Sequence, residues 1–319
     1  MGALFGNRAA VGRPRTTLRA ARSVPAPDTE ASVLVEPMHA QPHVPFFEWL
    51  LDTRTAAEET LRPHEQRLLA RLDAVLAADS SRAELLPRAP AVIPQLMNSL
   101  RDERQSAQAL AERVAKDPNL VAEVIRLANS ALARGGQAVG DLPQAIARLG
   151  TQGLRRAIAR VVLRPIFDAP DDSLSGRAAP RLWRHSEVKA AECMRLAAAA
   201  GLDPFEGYLA GLMHDIGWTA ALRALDRASE AGRGLPTQFS RAFVPAFATR
   251  REMFFAMLVM HWQITDSLTA LAAELLDGGF AAARSPLAQA LRAADRNASL
   301  DMLRVGALLE PMTVAPPGP

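Results

Sequence analysis

The 319-residue sequence contains one cysteine, Cys193, and few aromatic residues. With a single thiol, the chain cannot form an internal disulfide or a cysteine-based zinc site, which favours a reducing, cytoplasmic setting. Cys193 lies in an alanine-rich run, where we interpret it as a small core residue rather than a nucleophile. Scarce aromatic residues and threonine, with no alternation of period two, indicate few strands and predict an all-α protein.

Long hydrophobic runs are also absent. The longest strongly apolar stretch, at 253–260, is far shorter than the roughly 20 residues that a transmembrane helix needs. The N-terminus has no hydrophobic core of a signal peptide. We therefore expect no membrane span.

Lysine is nearly absent, since Lys116 and Lys189 are the only two among 37 basic residues. No acidic residue precedes Asp28, whereas five arginines do, and their charge exceeds the net charge of +3 of the whole chain. The rest of the chain is therefore slightly acidic. The sequence pI of 9.7 therefore comes from the basic tail, and it does not predict a nucleic-acid partner for the folded part.

Helix punctuation divides the chain. Asp117-Pro118 is typical of a helix start, Asp141 and Gln144 have the spacing of a capping box, and Gly150 is a natural helix end. Such signals predict the following order: a disordered basic tail at 1–44, a helical extension at 45–84, a first lobe of five short helices at 85–167, a linker at 168–180, a second helical lobe at 181–309 and a loose tail at 310–319.

Two glycines, Gly207 and Gly211, lie four residues apart on one predicted helix. A helix face without Cβ atoms lets another helix approach closely, although each glycine costs about 1 kcal/mol against alanine. We expect a close helix contact there.

The pair His214-Asp215 is the strongest candidate for chemistry, and His185 and Asp295 could complete a four-residue set. Nitrogen and oxygen donors of this kind suit manganese, iron, nickel or zinc. A metal ion held there could polarise a phosphoryl oxygen or activate water. The alternative interpretation is a structural cluster in which the histidines bind the carboxylates.

Sequence motifs around these residues resemble known families. WRHS at 183–186 and AGLMHDIG at 210–217 resemble the HD superfamily of metal-dependent phosphohydrolases. PAVIPQL at 90–96, DPNLVAEVIRLANSA at 117–131 and DLPQAIARLG at 141–150 resemble the HDOD family, the HD-related output domain. The resemblance spans roughly residues 85–300.

The resemblance implies an all-helical, two-lobed domain of bacterial signalling that lacks a demonstrated hydrolase activity. Many HD hydrolases have a lysine just after HDIG, but this chain has Trp218, and an indole cannot neutralise a phosphate. The chain also has no His-His pair and no Gly-Tyr-Pro motif, which are features of the two-metal enzymes that cleave cyclic di-GMP. We do not expect that activity.

Our leading hypothesis is therefore a non-catalytic regulator that binds a protein partner and is modulated by a small molecule, a nucleotide or a metal ion in the cleft between the lobes. The alternative is a single-metal phosphohydrolase that uses His185, His214, Asp215 and Asp295. A weaker alternative is DNA binding through Arg156, Arg160 and Arg164, which we interpret instead as a solvated helix face. His261 does not match the ligand pattern and is interpreted as a core or rim residue.

Overall fold

The computed structural model describes residues 43–78, 84–86, 111–112, 114–130, 137–230 and 238–309. Contacts divide the chain into two units, 1–40 and 41–319, and every described residue belongs to the second. The helices with described bounds are α1 (His43–Leu51), α2 (Pro63–Ala77), α3 (Pro118–Ser130), α4 (Leu142–Phe167), α5 (Leu174–Ala199), α6 (Pro204–His214), α7 (Ile216–Glu230), α8 (Phe243–Trp262), α9 (Asp266–Gly278) and α10 (Pro286–Leu309). Within these ranges the only extended pairing is one bridge between Ala56 and Ser240, so the all-α prediction is confirmed.

Several predicted segments lie outside the described residues. They are the basic tail, apart from residues 43–44, the part of the first lobe at 87–110, and the tail at 310–319. The five-helix composition of the first lobe therefore stays a prediction.

The segment predicted as a helical extension at 45–84 contains α2 and most of α1. In α1 the side chains of Phe46, Phe47 and Leu50 are buried, because apolar residues three and four apart share one helix face. Glu65 of α2 is buried as well, and its carboxylate accepts hydrogen bonds from the backbone N–H and the hydroxyl of Ser240. The extension is thus part of the folded core.

Two apolar clusters organise the described helices. The smaller one includes residues of α3 and the first part of α4, and the larger one includes the end of α4, the two N-terminal helices and α5 to α10. Asp141 caps α4 as its spacing predicts, since its carboxylate accepts from both the backbone and the side chain of Gln144. At Gly150 the backbone has φ +62°, so the chain turns where a helix end is expected.

The linker predicted at 168–180 is shorter in the structure, because α5 already begins at Leu174. Ser173 caps it by accepting from the N–H of Gly176, and the Asp226 carboxylate accepts from the first two N–H groups of the helix. These bonds satisfy donors that a helix start leaves free, so the chain becomes helical despite Gly176 and Pro180. The break between α4 and α5 is only residues 168–173.

Helices α5 and α6 pack closely at the two glycines, as expected. A Cβ atom on Gly211 would lie 2.7 Å from Ala190 Cα, and one on Gly207 would lie 2.7 Å from the carbonyl oxygen of Cys193. Gly217 of the HDIG sequence lets α8 approach closely in the same way, because a Cβ atom there would overlap the carbonyl of Arg251. These contacts bring α5 against α6 and α8 against the start of α7.

No helix in the described ranges is both long enough and apolar enough to cross a membrane. This finding agrees with the expectation from the short apolar runs.

Candidate functional site

The structure brings the four predicted site residues together inside the larger core. His185 lies on α5, His214 ends α6, Asp215 lies at the junction of α6 and α7, and Asp295 lies on α10. All four are buried, with at most 3% of each residue exposed. The close packing at Gly211 sets α5 beside the HDIG sequence.

His185 and Asp215 form one half of this cluster. Nδ1 of His185 is 2.7 Å from Oδ2 of Asp215, and its Nε2 is 3.2 Å from the hydroxyl of Ser299. One ligand atom each from His185, Asp215 and Asp295 lies within 4.8 Å of the others, a grouping that could hold a metal ion. His214 is not part of this closest grouping, although it belongs to the same cluster.

Lys189 occupies the centre of the cluster. This fully buried side chain lies one helical turn after His185, and its Nζ donates to Oδ1 of Asp215 at 2.5 Å and to Oδ1 of Asp295 at 2.9 Å. The same Nζ is 3.0 Å from Nδ1 of His214. An ammonium has three N–H donors, and each faces one of the predicted ligand residues.

His214 is held in one orientation by Glu252 of α8. Its Nε2 is 2.7 Å from Oε2 of Glu252. Burial raises the pKa of Glu252, but the charge of Arg251 and the contact with His214 outweigh it and lower the pKa, so this carboxylate only accepts hydrogen bonds. In the neutral ring, this contact places the proton on Nε2, and Nδ1 then accepts from Nζ of Lys189.

Arg251 provides a second buried cation beside the cluster. Its Nη2 donates to Oδ2 of Asp295 at 3.2 Å and lies 2.8 Å from Oε1 of Glu252. The guanidinium also lies over the ring of Trp218, with Cζ 5.1 Å from the ring centroid. The side chain that directly follows HDIG is thus an indole that lies beside a cation of the protein itself, Arg251.

Neighbouring charges hold the carboxylates of the cluster in their ionised form. Burial raises the pKa of Asp215, but His185 and Lys189 outweigh it and hold the pKa well below its usual range. For Asp295, Lys189 and Arg251 outweigh burial in the same way and lower the pKa. Two buried cations thus face three ionised carboxylates, those of these two aspartates and Glu252.

Helix α1 covers the cluster. The ring of Phe46 lies over His185, with centroids 4.5 Å apart, and 5.8 Å from Trp218. His43 faces Arg251 and Asp295, and burial followed by the charge of Arg251 lowers its pKa. A surface cleft of about 920 Å³ lies beside the other face of α1, and none of the four predicted site residues lines it.

The chain matches the family that its motifs resemble. A sequence profile of the HDOD domain matches residues 86–275, more than half of the chain. The chain belongs to the HDOD family. This confirms the resemblance of the motifs at 90–96, 117–131, 141–150 and 210–217.

Solved structures agree with the HDOD fold. An HDOD domain protein of unknown function from Geobacter sulfurreducens shares 21% identity and a TM-score of 0.53, over 75% of this chain and 80% of that chain. A proposed metal-dependent phosphohydrolase from Shewanella amazonensis SB2B shares 19% identity and a TM-score of 0.55, over 77% and 90%. At this identity the likeness shows the fold alone.

One curated relative is an uncharacterised protein of Treponema pallidum (strain Nichols), 22% identical over 143 residues. The match covers 44% of this chain and 27% of the relative. This chain therefore spans about a quarter of that protein's length.

The donor set of this HDOD protein has the chemistry for a metal ion but not the space. Three of the four predicted ligands, His214, Asp215 and Asp295, converge on one point, and the ammonium of Lys189 lies there. The fourth, His185, has both ring nitrogens within hydrogen-bond distance of Asp215 and Ser299. A metal ion at the point of convergence would overlap Nζ, so these residues do not fit one at that point while Lys189 lies there.

The arginines of α4 have partners within the chain. Arg160 pairs with Glu123 at 2.7 Å and also with Glu187, and Arg164 lies over Trp183. Arg156 contacts the carbonyl of Gln152 and the sulfur of Met194. These contacts favour a structural role over DNA binding.

Two further residues match their sequence interpretation. Cys193 is fully buried, and burial raises the pKa of its thiol to about 12. His261 is exposed near the end of α8, at the rim of the core rather than inside it.

Proposed function

We propose that this HDOD protein is a non-catalytic regulatory module of bacterial signalling that works by binding a protein partner. One observation supports the non-catalytic part: the His/Asp cluster is closed. Its polar atoms bond to one another, and Phe46 covers His185. A general acid or base must come within about 2.6–3.2 Å of its substrate, and these groups face each other instead.

Trp218 adds to this argument. A phosphohydrolase needs positive charge at the transferred phosphoryl group. The nearby cations, Lys189 and Arg251, are buried and bonded to carboxylates. The indole at 218 brings no charge of its own.

The remaining parts of the proposal concern setting and modulation. The single buried thiol of Cys193 supports a cytoplasmic location. A small molecule or nucleotide could modulate partner binding, and the cleft beside α1, lined in part by Trp49, Arg181 and Arg184, offers space for it.

An activity screen tests the non-catalytic part. The purified chain, supplied with manganese, iron, nickel or zinc, is incubated with phosphate monoesters, nucleotides and cyclic dinucleotides. We expect no turnover above that of the buffer. Turnover that His214→Ala abolishes and that the exposed control His261→Ala retains would contradict the proposal.

Reconstitution tests the partner. A protein that co-purifies with the chain from its host should form the same complex from purified components. His214→Ala, a change at a fully buried residue, should still bind this partner once circular dichroism shows that the variant is folded. Failure of every co-purified candidate to bind in purified form would contradict this part.

A second candidate, a single-metal phosphohydrolase, is favoured by the grouping of His185, Asp215 and Asp295 within 4.8 Å. It predicts about one transition-metal ion per chain in protein purified without chelators. It also requires Lys189 to leave the centre of the cluster. Metal content measured by elemental analysis separates the two candidates.

A further inference from the structure

We propose that Lys189 is a built-in cation that takes the place of a metal ion, and that removing its side chain turns the cluster into a transition-metal site. The inference deepens the proposed non-catalytic function, on which it rests, because it names the group that keeps metal ions out. It concerns a residue outside every sequence motif used above.

The geometry around Nζ carries the proposal. Three acceptors, Oδ1 of Asp215, Oδ1 of Asp295 and Nδ1 of His214, point at one atom from distances of 2.5, 2.9 and 3.0 Å. Transition metals bind such atoms at about 2.0–2.3 Å. Each acceptor would therefore need to move by less than about 1 Å to coordinate a metal ion placed at Nζ.

The second observation is the state of His214. Glu252 accepts the proton of Nε2, which leaves the lone pair of Nδ1 directed at Nζ. A histidine that donates its other ring N–H to a carboxylate is oriented for metal binding. Here the same arrangement directs Nδ1 of His214 at the ammonium of Lys189.

Charge balance points the same way. Lys189 and Arg251 face the carboxylates of Asp215, Asp295 and Glu252, so two cationic side chains face three carboxylates. Exchanging the ammonium for a divalent ion would remove that imbalance. Buried charges are tolerated only when compensated, so the emptied site should favour a divalent cation.

The experiment compares Lys189→Ala with the wild-type chain. Both are purified without chelators, stripped, incubated with zinc, nickel or manganese and desalted, and bound metal is measured by elemental analysis. Lys116→Ala removes the chain's other lysine, which is exposed, and serves as the matched control. A second variant, Lys189→Ala with Asp295→Ala, removes one of the expected ligands.

We expect about one metal ion per Lys189→Ala chain, an affinity at least about tenfold above that of the wild type, and a metal-dependent rise in Tm. The wild type and Lys116→Ala should bind far less than one equivalent, and the double variant should lose the gained site. If Lys189→Ala is unfolded without metal, recovery of its helical circular dichroism on adding metal supports the proposal.

Three results would overturn it: stoichiometric metal in the wild type, no gain of metal in Lys189→Ala, or no metal-dependent recovery of an unfolded variant. The proposed function fails separately. Turnover by the wild type contradicts that function, whereas an inactive wild type with a variant that gains no metal contradicts only the role of Lys189.

Discussion

Replacing Lys189 by methionine should strongly destabilise the protein. Methionine replaces the alkyl part of lysine by another unbranched apolar chain. It lacks the charge and the three N–H donors that face Asp215, Asp295 and His214. Breaking a fully buried ion pair by removing one partner costs about 3–5 kcal/mol, because a charge is left buried without compensation. Two carboxylates lose the ammonium here, although Asp215 keeps its contact with His185 and Asp295 keeps that with Arg251, so we expect a loss within that range.

Urea denaturation followed by circular dichroism measures this loss. With a denaturant dependence of about 1–3 kcal/mol per molar, the midpoint should fall by at least about 1 M relative to the wild type. Lys116→Met is the control, since that side chain is exposed, and it should shift the midpoint very little. Adding Asp215→Asn and Asp295→Asn to Lys189→Met should restore part of the stability, because the uncompensated charges are gone.

A loss below about 1 kcal/mol for Lys189→Met would refute this reasoning. It would mean that the two carboxylates do not depend on the ammonium. A triple variant less stable than Lys189→Met would contradict the charge argument in a different way.

Three further predictions follow from the described contacts. Gly211→Ala should lower the free energy of unfolding by about 1–3 kcal/mol, because the new methyl group would lie 2.7 Å from the backbone of α5. The control Gly140→Ala, whose new methyl group has no neighbour within 4 Å, should change that free energy very little in the same urea denaturation. Equal losses for the two variants would contradict the close packing of α5 and α6. Cys193 should resist alkylation in the native state and react once urea unfolds the chain, because burial raises its pKa to about 12; fast labelling of the native thiol would disprove its burial. Asp215 and Asp295 have lowered pKa values in the fold, so the unfolded chain binds more protons in acid. The free energy of unfolding should therefore stay steady above about pH 5 and fall as the pH drops below about 4. A free energy of unfolding that stays constant down to about pH 2 would contradict the buried ion pairs.

Much of the site follows from local sequence signals. The HDIG sequence fixes His214 and Asp215 at a helix end, and WRHS puts His185 on the preceding helix. Gly207 and Gly211 mark the face where these helices meet, because only a residue without a Cβ atom allows that approach. The four site residues predicted from the sequence are therefore close together in the structure.

The neutralising residues were not predictable in the same way. Lysine is rarely fully buried, so the ordinary expectation for Lys189 is a solvent-exposed side chain. Its position one turn after His185 was the available signal, since residues four apart share a helix face. Arg251 and Glu252 come from α8, 34 and 35 residues after the end of HDIG, and no local pattern connects them to the cluster.

The cover over the cluster depends on tertiary contacts as well. The apolar face of α1 is visible in the sequence, but its neighbour is not, and Phe46 lies almost 140 residues before His185. The linker shows the opposite error. Gly176 and Pro180 suggest a break in the sequence, whereas capping by Ser173 and Asp226 makes the segment helical.

Anomalous diffraction from crystals grown with zinc or manganese tests the central claim most directly, because it separates an ammonium from a metal ion at the centre of the cluster. The account predicts continuous density for Lys189 reaching the carboxylates of Asp215 and Asp295, with no anomalous peak between them. An anomalous peak bound by His214, Asp215 and Asp295, with Lys189 turned away, would contradict it.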